Sequence, residues 1–362
     1  FDKRHDELYA LNEKAFSFLT QLGGTRRLED LKFDKTFVNK LFKENLIYIE
    51  DVPNIRNFLL VEPPLPSVRY LEIQVTERCN IDCKHCYQGS KGKSELSIND
   101  LKMVLDEFYK LQGLRVIISG GEPLMYSKFE ELNALLKNYP ARVVLLTNGT
   151  LIERCDVKAL NFDEIQFSLD GMEAGHDYLR GKGSFKKLVS AVEKIKEMTD
   201  IDVSFATIIH KNNLKEFKEM KRFVKSFGAK EWGIDMPALS GNLGKNLELY
   251  VDAEDAIKAM SYRFGASFHA TDEDNDYACG SHLMTLNAKG EFLPCSFYPD
   301  TVLGRISDGL ENAIRKRRLI TRQDIQECKE CEKFKDCRGG CRFRAGSISN
   351  RDLVMCKVFG KK

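Results

Sequence analysis

Three thiols, Cys79, Cys83 and Cys86 in CNIDCKHC, limit this chain more than any other feature. They are separated by three and then two residues, and they follow an apolar, β-branched run from Tyr70 to Thr76, so they stand where a strand ends. Thiolates so close together suit a metal cluster better than a single ion. A structural zinc or a closed iron–sulfur cubane takes four protein ligands, and the next cysteine along the chain is Cys155. One iron is therefore left open to chelate a small molecule.

The 362 residues suggest two or three domains and a soluble, globular composition. Basic and acidic side chains number 56 and 54, a net charge of +2, so no overall field draws the chain to nucleic acid or a membrane. No apolar run approaches the ~20 residues of a membrane helix, and no charged-then-apolar leader is present. The expected location is cytoplasmic, although the chain begins at Phe1 without a methionine. Eleven cysteines in a small secreted protein would mean disulfides, but here they cluster at ligand spacings, with only Cys155 apart.

From Val68 apolar strand patterns alternate with helical ones, which predicts an α/β fold with a parallel sheet covered by helices. Strands are expected at Tyr70–Thr76, Arg115–Ser119, Val143–Thr147, Glu164–Leu169, Val203–Ile209 and Glu231–Asp235. Six strands fit a partial (β/α)6 barrel of the TIM type. The helix after Ser97 is well marked: Ser97 is an N-cap, and Leu101, Val104, Leu105 and Phe108 fall on one face. Ligand-binding residues of such sheets gather at the C-terminal strand ends. There the sequence places Gly120, Gly121 and Glu122, then Asn148, then Ser168 and Asp170, with Arg180 beyond. Each also has a bland reading as a turn, cap or surface ion-pair residue.

CxxxCxxC at Cys79 to Cys86, with SGGEP at Ser119 to Pro123, resembles the radical S-adenosylmethionine (SAM) superfamily. That family's core is likewise an incomplete barrel. The resemblance implies a [4Fe-4S] cluster on the three cysteines with SAM bound to its open iron. Gly120, Gly121 and Glu122 would hold the SAM ammonium, Ser168 and Asp170 the ribose diol and Arg180 the carboxylate, with Asn148 beside them. His85 stands where the family has an aromatic residue and would pack beside the adenine. One electron from the reduced cluster would then give a 5′-deoxyadenosyl radical that abstracts an unactivated hydrogen.

Before the barrel, a strand is expected at Leu8–Leu11, a helix from Asn12 carrying Ala15, Phe16, Leu19 and Leu22, and a short helix at Leu28–Leu31. A third helix carries Phe37, Val38, Leu41 and Phe42, and LIYIE at Leu46–Glu50 reads as a strand. The pattern resembles part of the PqqD-like element that binds leader peptides by strand addition, and a winged-helix packing module without ligand reads equally well. VEPPLP at Val61–Pro66 reads as a stiff linker.

Seven more thiols follow the barrel: Cys279, Cys295, Cys328, Cys331, Cys337, Cys341 and Cys356, with a hairpin turning at Asn287–Gly290 between the first two. Their order resembles the SPASM extension, which holds two auxiliary iron–sulfur clusters. By that resemblance Cys328, Cys331, Cys337 and Cys356 close the distal cluster, and Cys279, Cys295 and Cys341 hold the proximal one. The proximal set is one ligand short, since Thr285 stands where some relatives have another cysteine, and an open or non-cysteine site is expected there. Cys155 is expected to be packed instead. The alternative is a zinc ribbon. Arg315, Lys316, Arg317, Arg318, Arg338, Arg342 and Arg344 read as a solvated helix face plus counter-charges for the clusters, because no stacking aromatics interleave with them.

The implied organisation is a peptide recognition unit at 1–62, a radical SAM barrel at 68–245, and a bridging helix with a SPASM domain at 246–362. The implied function is a maturase that uses SAM and three iron–sulfur clusters, all [4Fe-4S], to crosslink a ribosomal precursor peptide through a thioether or carbon–carbon bond. A flavodoxin or ferredoxin would supply electrons; neither nucleic acid nor membrane is an expected partner. Two alternatives are an enzyme for a haem or quinone cofactor precursor or a protein side chain, and a non-catalytic metal-binding or electron-transfer module. His176, His210, Asp235 and His282 are candidate bases that no spacing separates.

Overall fold

A computed structural model of the chain describes residues 1–9, 11–24, 26–49, 51, 66–89, 91–237, 239–265 and 276–360. The chain divides into two compact units, Phe1–Glu62 and Pro63–Lys362.

In the first unit helix α1 spans Glu13–Leu19 and α2 spans Lys35–Lys43, with a short 3-10 turn at Leu28–Asp30 between them. Asn12 caps α1 through Ala15 N, and Asp34 caps α2 through Thr36 N and Phe37 N, each side-chain oxygen meeting an orphan N–H. Phe18, Val38 and Leu41 form a small core. The two expected strands are not formed among the described residues. Leu8 and Tyr9 lie beyond an isolated Asp2–Glu7 bridge, and 46–49 forms no described strand, with Tyr48 and Ile49 exposed. Alternation supplies a strand's faces but not its partner. Glu50 and the linker at 61–65 fall outside the described residues.

The second unit is built on one nine-stranded sheet in the order β6-β5-β4-β3-β2-β1-β7-β8-β9. Strands β1 (Tyr70–Gln74), β2 (Arg115–Ser119), β3 (Arg142–Thr147), β4 (Glu164–Ser168), β5 (Asp202–Ile208) and β6 (Glu231–Asp235) are all parallel. They alternate with helices α3 (Ile98–Lys110), α4 (Phe129–Leu136), α5 (Glu173–Arg180), α6 (Ser184–Met198) and α7 (Phe217–Ser226). Ser97 caps α3 through Asp100 N, and Leu101, Val104, Leu105 and Phe108 are buried as the periodicity predicts, each worth about 1.5–3 kcal/mol in transfer free energy. Strand β1 stops two residues early because Thr76 leaves the ladder to bridge Glu95.

Residues alternate between two unlike faces. The outer row, including Leu71, Ile73, Val116, Ile118, Phe167 and Phe205, is almost fully buried in one core with the helices. The inner row is polar or partly accessible: Ile117, Leu146, Gln166, Ser168, Ala206 and Gly233 keep contact with solvent. This face is concave, since Arg142 on β3 reaches over β4 to Asp202 on β5.

After α8 (Ala253–Met260), strand β7 (Leu283–Leu286) joins the sheet parallel to β1, followed by the antiparallel β8 (Glu291–Leu293) and β9 (Gly304–Arg305). The expected hairpin is present, turning through Asn287, whose side chain accepts from Lys289 N and Glu291 N. Its attachment to β1 carries the cysteine-rich segment, with α9 (Leu310–Lys316), α10 (Phe334–Cys337) and α11 (Leu353–Val358), into the barrel's own compact unit.

Candidate functional site

The loop holding Cys79, Cys83 and Cys86 lies over the C-terminal ends of β1–β3. Its backbone crosses the Gly120–Gly121 pair closely: a Cβ on Gly120 would fall 2.5 Å from Thr76 O, where φ is +147°, and one on Gly121 would clash with Arg78 O. These glycines thus serve the packing of the loop, with Gly121 N and Glu122 N donating to Thr76 O and Arg78 O at 2.8 Å. Asn148 braces the same loop, its Nδ2 donating to Asn80 Oδ1 at 3.0 Å, while Asn80 Nδ2 donates to Thr150 Oγ1 at 2.7 Å.

Glu122 is buried. Its Oε1 accepts from Thr147 Oγ1 and Leu124 N, and its Oε2 accepts from Asn148 N at 2.9 Å. Burial raises its pKa against these hydrogen bonds. Its carboxylate is therefore first of all a brace between β2 and β3.

Asp170 and Arg180 form a buried pair through Asp170 Oδ2 and Arg180 Nε. Oδ1 accepts from Ile208 N at 2.8 Å, so both oxygens are engaged. Burial pushes this carboxyl up, but Arg180 and the nearby histidines pull it well below the usual range. Three imidazoles surround the pair. Asp170 N donates to His176 Nδ1 at 3.2 Å, His210 Nε2 donates to Asp170 O at 2.8 Å, and His85 Nε2 lies 3.6 Å from Asp170 Oδ2. Arg180 Nη1 comes within 3.9 Å of Cys83 Sγ. His176 and His210, read as candidate bases, hold the Asp170 peptide in place. Ser168 lies on the accessible inner face at the end of β4.

One part of the site was missed in the sequence. The 3-10 segment Gly241–Lys245 grips the cysteine loop from the far side. Asn242 N donates to Cys86 O at 2.8 Å, Asn242 Nδ2 to Cys83 O and Asn246 Nδ2 to Lys84 O, both at 3.0 Å. Gly241, with φ +54°, passes so near the Cys86 and Tyr87 carbonyls that no Cβ fits. The only signal was the polar, glycine-containing SGNLGKN immediately past β6.

The seven later cysteines fall into two groups. Cys279, Cys295 and Cys341 are electrostatic neighbours of one another, as are Cys328, Cys331, Cys337 and Cys356. Burial pushes the Cys83, Cys295 and Cys328 thiols up to about 11; a bound cation would supply the charge that favours the thiolates. The second group lines a cavity of about 380 Å³ with Arg351 and Phe359. Among the described residues no three ligating side chains converge on a single ion. The donor set of each group suits an iron–sulfur cluster. Cys155 packs against the barrel core with its Sγ 3.8 Å from Leu151 O.

The basic residues are not a solvated face throughout. Arg315 pairs with Glu311 at 2.6 Å in the open, but Arg317 is buried, donating to Ser281 O and Pro66 O. Burial lowers it to about 10. Arg342 ties together Gly339 O, Ile348 O and Asn350 O, and Arg338 reaches Lys335 O and Tyr277 O. Carbonyls at fixed positions, not solvent, take these guanidinium groups because the segment has little other regular structure to bind its backbone. Of the remaining base candidates, Asp235 pairs with Arg344, and His282 bonds Ser67 O just before β7. Thr285 is buried in β7, its Oγ1 donating to Glu72 Oε2 at 3.1 Å.

A parallel sheet bearing a three-thiol loop over its C-terminal edge defines the class, and residues 73–224 match the Radical SAM superfamily. Over this region the chain is similar to enzymes of that superfamily. It is 27% identical to the AdoMet-dependent heme synthase of Oleidesulfovibrio alaskensis over 65% of this chain and 63% of that protein, just under two thirds of its length. It is 27% identical to the mycofactocin maturase MftC of Mycolicibacterium smegmatis over 74% of this chain and 76% of the other. In fold it resembles SuiB of Streptococcus suis bound to the precursor peptide SuiA, with TM-score 0.65 and 17% identity over 89% of this chain and 87% of that one. Among the described residues no helix is long and apolar enough to cross a membrane.

Proposed function

We propose that this enzyme is a peptide maturase that makes an oxidative thioether or carbon–carbon crosslink in a ribosomal precursor. The observation that carries the reading is the joining of β7 to β1, which attaches the segment bearing Cys295, two residues past β8, to the sheet that carries the Cys79–Cys86 loop. Cys79, Cys83 and Cys86 would hold the SAM cluster; Cys279, Cys295 and Cys341 the proximal auxiliary cluster; and Cys328, Cys331, Cys337 and Cys356 the distal one.

SAM, once bound, supplies a 5′-deoxyadenosyl group for hydrogen abstraction. The chain's part is to position and to exclude water. Gly120, Gly121 and Asn148 shape the loop, Ser168 faces the ribose, and Arg180, held by Asp170, presents its remaining N–H groups to the SAM carboxylate. His85 closes the pocket as packing for the adenine. Tyr87, Phe297 and Phe343 form a wall between the first and second cysteine sets, with ring centroids 5.4 Å and then 5.7 Å apart. The first unit, with exposed Phe16, Tyr48 and Ile49, would bind the leader, and a flavodoxin or ferredoxin would reduce the enzyme in the cytoplasm.

Similarity to heme synthase supports a second reading, an enzyme for a haem or other cofactor precursor. The test is iron and acid-labile sulfide on anaerobically purified protein, with 5′-deoxyadenosine measured under dithionite and with candidate peptides. About twelve irons, falling by about four when Cys79, Cys83 and Cys86 are all replaced by alanine, is expected. Zinc in the later cysteines would end the auxiliary-cluster part, and turnover of a porphyrin but no peptide would favour the second reading.

A further inference from the structure

Three carboxylates on the inner face of the sheet are matched with cations. Glu164 and Asp202 share Arg142, and Asp235 takes Arg344. Glu72, on β1, is different. It is 9% exposed, and its partners are two hydroxyls: Oε1 accepts from Ser119 Oγ at 2.7 Å and Oε2 from Thr285 Oγ1 at 3.1 Å. Among the described residues no cation pairs with it. A carboxylate has about four acceptor positions, so two hydroxyl donors leave half of its capacity unused. Buried carboxylates are stable where a positive partner or a full set of donors compensates for lost water, and Glu72 has neither among the described residues.

Its position says where the partner comes from. Glu72 alternates with Leu71 and Ile73, which are wholly buried in the outer core, so its side chain stands on the inner face. One step nearer the thiols, Gln74 Nε2 donates to the hydroxyl of Tyr87, the residue after Cys86. Glu72 acts electrostatically on both Tyr87 and Cys295. It therefore lies under the wall that divides the two cysteine sets, on the face of the sheet whose other residues keep contact with solvent. Three strands cooperate in holding it, since Ser119 belongs to β2 and Thr285 to β7. Two hydroxyl braces on one carboxylate fix its direction before any ligand arrives.

We propose that Glu72 receives a positively charged group of the substrate, an ammonium or guanidinium, inside the barrel. Resting on the maturase reading for the identity of its carrier, this assigns the enzyme a peptide with a lysine or arginine side chain at or next to the modified position. The residue acts by positioning: the charge pair sets the depth at which the peptide enters, while the reacting hydrogen is presented above it.

The test uses SAM-loaded, anaerobic holoenzyme and deuterated n-butylammonium as the probe, read by deuterium modulation in pulsed EPR of the reduced clusters. Saturable modulation is expected in the unaltered enzyme. It should weaken about tenfold or more in Glu72→Gln, which keeps the shape but loses the charge, and by a smaller factor in Ser119→Ala, which loses one brace. Deuterated n-butanol should give no saturable signal. Equal binding by the unaltered enzyme and Glu72→Gln, or no binding by either, overturns the proposal. So does a Glu72→Gln variant that loses SAM affinity instead, which would make SAM the cation, or one with altered iron content or cluster g-values, which would make iron the partner. An enzyme that binds the ammonium through Glu72 yet modifies no peptide keeps the site and loses the maturase reading. One that cleaves SAM and modifies a peptide but ignores the ammonium keeps the reading and loses the site.

Discussion

Arg344 joins Asp352 and Asp235: its Nη2 lies 2.8 Å from Asp352 Oδ2 and its Nη1 2.9 Å from Asp235 Oδ1 at the end of β6. The two halves of this contact differ. Asp352 is buried, also accepting from Cys341 N at 2.9 Å and capping α11, whereas Asp235 is exposed. Arg344→Met strands a buried carboxylate and should lower unfolding free energy by about 3–5 kcal/mol, while Asp235→Asn should cost about 1 kcal/mol or less. Urea unfolding of both variants measures the difference.

The floor of the barrel repeats the arrangement with Arg142 between Glu164 and Asp202 at 2.9 and 2.5 Å. Glu164 is almost fully buried and also accepts from Ser204 Oγ at 2.5 Å. Arg142→Met alone should destabilise by about 3–5 kcal/mol. Adding Glu164→Gln should return part of that loss, because the unpaired buried charge is then removed. A double-mutant cycle in urea gives the coupling, and strict additivity would refute the pairing.

His176 is buried, and burial followed by the Arg180 charge lowers its pKa to about 4. Unfolded histidine titrates near 6.5, so between these values the unfolded state binds the extra proton and stability rises with pH. The neutral-histidine contribution, on the order of 3 kcal/mol, is present above about pH 6.5 and lost as pH falls toward about 4. His176→Asn keeps an acceptor for Asp170 N but does not titrate. Its stability should fall less steeply from about pH 7.5 to about pH 5; parallel curves for the two proteins would be the contrary result.

Gly121 and Gly244 offer a paired test of backbone fit. A Cβ on Gly121 collides with the Arg78 carbonyl under the cysteine loop, whereas Gly244 has nothing within 4 Å. Gly121→Ala should reduce 5′-deoxyadenosine formation about 100-fold or more by shifting the loop, and Gly244→Ala should leave it within about twofold. Iron content shows whether the loss in Gly121→Ala begins at cluster assembly.

The local elements were largely legible. Ser97 and the Leu101–Phe108 face marked α3, and alternation located six strands to within two residues, since each signal lies in a few neighbouring side chains. Where pairing was needed, locality failed. Leu46–Glu50 has a strand's alternation, but residues 46–49 form no strand among the described residues. Asp170, read as a ribose ligand, spends its carboxylate on Arg180 and Ile208 N. Arg317, read as solvated, is buried against Pro66 and Ser281.

The sequence by itself determined where the close thiols stand: Cys79, Cys83 and Cys86 follow an apolar strand at the edge of a parallel sheet. Only the tertiary structure decided which side chains remain free beside them. Pairing of β7 with β1 brings Thr285 to Glu72 across 213 residues, and the Asp170 side chain is occupied before a ligand could reach it. Spacing along a chain encodes faces and turns, but the partner of a buried charge depends on distances between residues far apart in sequence, and folding alone sets those.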